Sequence, residues 1–123
     1  MANGDIITNI RDCFEVVLLD AQSTTSTGVW REVPAHLNIW AITTGLLEEG
    51  ATDAIIDIHV YDGPTKLADA TAGDAIIARF NNIGTPPDQS YEGPGGHRYV
   101  KAAKTQGTTP IATTVRLRAT PSR

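Results

Sequence analysis

The stretch that decides the fold class is His97-Arg98-Tyr99-Val100-Lys101-Ala102-Ala103-Lys104, then Thr105-Gln106-Gly107-Thr108-Thr109-Pro110, then Ile111-Ala112-Thr113-Thr114-Val115-Arg116-Leu117-Arg118-Ala119. Two β-like runs flank a Gly/Thr/Pro connection, which predicts an antiparallel hairpin. In the second run Ile111, Thr113, Val115, Leu117 and Ala119 share one face of a pleat, and Ala112, Thr114, Arg116 and Arg118 share the other. One face is therefore apolar and the other wet. That assigns Ile111, Val115 and Leu117 to a core, and Lys101, Arg116, Arg118 and the Gly-Thr-Thr-Pro tip to the surface.

The rest of the chain is read outward from this segment. Cys13 to Asp20 is apolar without alternation, as a strand buried on both sides would be. Gln22 to Gly28 is a loop of small hydroxyl residues, which bond locally to backbone and compete with regular structure. Val29 to Val33 reads as a short strand stopped by Pro34. Ala35 to Thr44 follows with a period of two, Leu37, Ile39 and Ala41 against His36, Asn38, Trp40 and Ile42.

Ala54 to Tyr61 alternates most cleanly, Ile56, Ile58 and Val60 against Asp57, His59 and Tyr61, and closes on Asp62-Gly63-Pro64. Ala75 to Phe80 fits a strand or a helical turn. Asn81 to Gly96 contains Gly84, Pro86, Pro87, Gly93, Pro94, Gly95 and Gly96, and reads as a long loop. With residues 1–10 as an extended arm carrying an optional strand from Asp5 to Ile10, the pattern predicts one all-β domain over 1–123. It is an antiparallel sandwich of jelly-roll type with about seven or eight strands.

Composition narrows the function. At 123 residues and 41% apolar content, the chain is long enough for one core without a staple. The lone Cys13 excludes an internal disulfide and reads as a small buried hydrophobe. Ten Lys and Arg against fourteen Asp and Glu give a net charge of −4, so no basic stripe points to nucleic acid. No run approaches the ~20 apolar residues of a membrane span, and Met1 to Ile7 has neither the basic region nor the long apolar run of a secretory signal, so the expectation is a chain made and kept soluble.

Candidate chemistry is sparse. Asp57 and His59 share a strand face, but they supply two ligands where a zinc site takes three or four. Glu48, Glu49 and Asp53 cluster by a loop and read as exposed carboxylates. Neither a nucleophile elbow nor a phosphate-binding loop occurs. The expectation is no enzyme, no cofactor and no metal. Trp30 and Trp40 are core anchors if buried, and stacking platforms for a sugar if exposed.

One family shares this order of parts: a Ser/Thr/Gly loop before Val29-Trp30, the strand at Ala35 to Thr44, Ile56-Asp57-Ile58-His59-Val60 ending in Asp62-Gly63, then Arg98-Tyr99-Val100-Lys101 and Gly107-Thr108-Thr109-Pro110. The chain resembles the small jelly-roll capsid decoration, or cement, proteins of tailed bacteriophages. The resemblance implies a virion protein made in the host cytoplasm and carried on the capsid exterior, bound to the major capsid protein and self-associating as a dimer or trimer. Its candidate interface residues are Trp30, Tyr91, His97, Lys101, Thr108, Thr109, Arg116 and Arg118. The alternative is a carbohydrate- or receptor-binding sandwich of a phage tail, motivated by Trp30, Trp40, Tyr91 and the long loop.

Overall fold

A computed structural model describes residues 2–48, 51, 53–81 and 89–122. Nine strands run in chain order: β1 Asp5–Ile10, β2 Cys13–Gln22, β3 Arg31–Glu32, β4 Ile39–Thr44, β5 Ile55–Tyr61, β6 Ala75–Asn81, β7 Gln89–Pro94, β8 Tyr99–Thr105 and β9 Thr113–Thr120. They form a five-stranded sheet, β1-β2-β9-β4-β7, and a four-stranded sheet, β3-β8-β5-β6. Every ladder is antiparallel. Strands β2 and β9, β3 and β8, β4 and β7, β5 and β6 pair as nested couples, so the fold is a jelly roll: a long hairpin rolled into two facing sheets.

That topology corrects the closing hairpin. Strand β8 lies between β3 and β5, whereas β9 lies between β2 and β4 in the other sheet. The Gly/Thr/Pro segment crosses the ~10 Å between the two layers instead of turning within one. Alternation reports which face of a strand is wet, and it holds: Thr113, Val115, Leu117 and Ala119 are buried while Arg116 and Arg118 are exposed. It says nothing of which strand is the neighbour. Ile111, expected in the core, is half-buried just before β9.

The core forms where inward positions of both sheets meet. Val16, Leu18 and Leu19 of β2, Trp40 and Ile42 of β4, and Leu117 of β9 face Ile56 and Ile58 of β5 and Val100 and Ala102 of β8. The uninterrupted run Val16 to Leu19 is inaccessible throughout, as its lack of alternation predicts. Strand β4 starts later than expected, at Ile39, because Leu37 N–H closes a turn onto Pro34 O at 3.1 Å. His36 and Asn38 therefore do not share a sheet face with Trp40, which is fully buried.

The long loop is also corrected. Its ends are strands, β6 running to Asn81 and β7 pairing with β4 from Gln89 opposite Thr44 to Pro94 opposite Ile39. Residues 82–88 lie outside the described residues. Gly93 and Pro94 read as breakers, yet β7 is an edge strand and needs only one side of its backbone for pairing. One glycine is fixed by close approach: Gly28 has φ +72°, and a Cβ there would lie 2.0 Å from Ala102 O.

Candidate functional site

The eight candidate interface residues separate into buried, pinned and open groups. Trp30 and Lys101 belong to the first, against expectation. Lys101 stands on the outward side of β8, beside His59 of β5, but segment 62–74 folds over it. Its ammonium donates to Asp69 O at 2.6 Å and sits 5.2 Å from the Trp30 ring centre. Trp30 is fully buried there, with its N–H donating to Asp69 Oδ1 and its indole to Thr71 O. Tyr61 and Tyr99 stack beside it at 6.2 Å. Burial pushes the Lys101 pKa down against the pull of Asp69. The outer face of the four-stranded sheet around Lys101 is thus covered by a second small cluster.

The pinned group holds loops. His97 Nδ1 lies 3.0 Å from Asp62 Oδ2, with its ring edge-on to Trp40. Asp62 also accepts Arg98 N–H at 2.9 Å, and these bonds, His97 first, lower its pKa. Tyr91 packs on the core and donates its hydroxyl to Pro94 O at 2.8 Å. Thr108 is exposed and donates both its hydroxyl, at 2.7 Å, and its N–H to Asp53, whose pKa is lowered to about 2 chiefly by that hydroxyl bond. Thr109 is exposed and donates its N–H to Glu48 Oε2 at 3.2 Å.

Behind Thr108 and Thr109 lies a polar cluster missed in the sequence reading. Glu48, expected to be exposed, is fully buried, and its Oε1 accepts the N–H groups of Asp53 and Ala54. Glu49, the other member of that acidic pair, falls outside the described residues. Lys104 is buried beside it and donates to Gln22 O, Leu47 O, Ile111 O and Thr113 Oγ1 at 2.9 to 3.1 Å. Desolvation pushes its pKa down, opposed by the charge of Glu48. The signal was present: Lys104 follows Val100 and Ala102 at period two on the inward face of β8.

Arg116 and Arg118 remain open. They project from β9, near the middle of the five-stranded sheet, with Val17 and Thr43 flanking Arg116 and Glu15 and Ala41 flanking Arg118. A shallow hollow of about 210 Å³ runs between them and Ile7. Among the described residues neither takes part in an ion pair. A larger groove of about 690 Å³ lies where β1 meets β3, but its cations are engaged: Arg98 by Glu32 at 2.8 Å, Arg31 by Gly4 O.

The remaining candidates for chemistry are tied into structure. Asp57 takes a two-pronged bond from Arg79, at 2.7 and 3.2 Å, rather than facing His59 as a dyad. Desolvation, then the charge of Lys101, lowers the His59 pKa. Among the described residues no three His, Cys, Asp or Glu side chains converge as a metal site.

No protein-family model matches the sequence, and no curated protein matches it. A solved structure, described as "Bacillus endospore appendages form a novel family of disulfide-linked pili", is similar over 99% of this chain and 96% of that chain, at 17% identity and a TM-score of 0.35. A likeness of that degree carries no argument, so fold and function rest on the residues above.

Proposed function

We propose that this chain is a non-enzymatic structural protein of a phage virion, a jelly-roll cement protein that binds the major capsid protein on the outside of the shell. The observation that carries the reading is the open arginine pair, Arg116 and Arg118, on the rigid outer face of the five-stranded sheet. A sheet face costs little ordering on binding, and an exposed cation pair suits an acidic patch on a partner. Both candidate stacking tryptophans are fully buried, which takes from the carbohydrate-binding alternative two of the residues that motivated it.

The test is binding to shells of the cognate major capsid protein, read by co-sedimentation. Replacing both arginines, Arg116→Glu with Arg118→Glu, is expected to lower occupancy at least tenfold, about 1.4 kcal/mol, with an unchanged circular dichroism spectrum. Equal occupancy of wild type and variant would overturn the arginine face as the contact. Glycan binding without shell binding would favour the tail receptor reading.

A further inference from the structure

We infer that β1 is a self-association edge, pairing antiparallel with β1 of a second copy about a two-fold axis. The inference goes beyond the capsid reading and holds whatever the arginine face binds. It begins with exposure. Among the described residues five large apolar side chains are exposed, and three of them, Ile6 at 49%, Ile7 at 39% and Ile10 at 64%, lie on this one strand. Strand β1 pairs with β2 on one side and closes its sheet on the other, so one edge of its backbone is open.

The other three edges carry what natural edges use to stay unpaired. Strand β7 ends in Gly93 and Pro94, and β3 is two residues long. Strand β6 exposes Ile76 alone among large apolar groups, and its Arg79 is held by Asp57. Strand β1, Asp-Ile-Ile-Thr-Asn-Ile, contains no proline, glycine or lysine.

The register follows from the bulge. Ile6 pairs with Val16 and Thr8 with Glu15, which leaves Ile7 as an extra residue. The bulge puts Ile6 and Asn9 on the inward face, opposite Val16 and Phe14, and puts Asp5, Thr8 and Ile10 on the outward face, opposite Val17, Glu15 and Cys13. An unbulged strand would put Ile6 and Asn9 on opposite faces. With the axis between Ile7 and Thr8, Ile6 faces Asn9 of the second copy and Asp5 faces Ile10, each pair on one face. The same register places Ile7 diagonal to Ile10 of the second copy, so these two exposed isoleucines cover one another, while Ile6 meets Asn9 on the opposite face.

Charge selects the antiparallel sense. Asp5 opens the strand and Arg11 follows its end, so two-fold pairing sets Arg11 of each copy opposite Gly4, one position from Asp5 of the other, while Asp12 falls opposite Asn3. Parallel pairing would set like charges side by side. The product is a continuous ten-stranded sheet with a closed, isologous interface.

Sedimentation velocity over a concentration series tests this. Wild type is expected at twice the 13.1 kDa of one chain, and the Ile7→Lys, Ile10→Lys variant at one chain with its circular dichroism spectrum retained. A wild type that stays monomeric across the series, as a bulge that blunts the edge would give, overturns the proposal, as does a variant that still dimerises. Register is read separately by mixing Asp5→Cys and Ile10→Cys chains, each also carrying Cys13→Ser. Mild oxidation should give the mixed disulfide dimer in preference to either homodimer, and a statistical mixture would overturn the register.

Discussion

At the scale of single residues, the buried Lys104 organises one end of the roll. Its ammonium holds three carbonyls, one from the end of β2 and two from loops, and one hydroxyl, while Glu48 gathers three N–H groups nearby. Removing the cation strands those carbonyls and leaves Glu48 without a counter-charge in a dry site. Lys104→Met is therefore expected to cost about 3 kcal/mol, read as a fall in the urea midpoint at constant slope. Asp53 predicts a pH dependence. Its folded pKa, about 2, lies below the ordinary 3.8, so the native state binds fewer protons. The stabilisation is complete above pH 3.8 and is lost as pH falls toward 2. In Asp53→Asn, melting temperature should vary less over that window, and an unchanged slope would show that the Thr108 bonds contribute nothing.

At the scale of elements, segment 62–74 behaves as a latch over the outer face of β8. Trp30, Lys101 and Asp69 hold it, and it passes close to β5 at Gly73, where a Cβ would lie 2.3 Å from Val60 O. Trp30→Ala removes the largest group beneath it and is expected to cost about 4 kcal/mol. Trypsin cleavage at the exposed Lys66 should quicken under conditions where the rest of the chain stays folded; uniform loss of protection would mean that the latch is not an independent unit. This element also shows where periodicity stops informing. Lys101 does alternate away from Val100 and Ala102, so the sequence reading was right about its side of the strand. It was wrong about water, because a segment thirty residues upstream covers that side. The same limit applied to β7, whose glycine and proline are tolerated only because it is an edge.

At the scale of the whole molecule, the roll makes the last strand structurally central. Strand β9 joins β2 to β4, and without it the five-stranded sheet falls into two pieces. A chain ending at Ala112 is expected to lose cooperative unfolding altogether, read by the absence of a calorimetric transition; a folded truncation would contradict the topology. The alternation in β5 and β9, the unbroken apolar run of β2 and the turn at Asp62-Gly63 determined by themselves that the protein is an antiparallel β-sandwich, and which side of β5 and of β9 faces inward. These are local properties, since side-chain polarity along a pleat needs no knowledge of the neighbour. Only the tertiary structure decided that β8 and β9 lie in different sheets, that Trp30 and Lys101 are covered, that Glu48 and Lys104 meet in a dry cluster, and that Arg116 and Arg118 stay open. Those outcomes depend on which distant segments the roll brings together, and periodicity within a strand marks only the inward side of Lys104, not its partners.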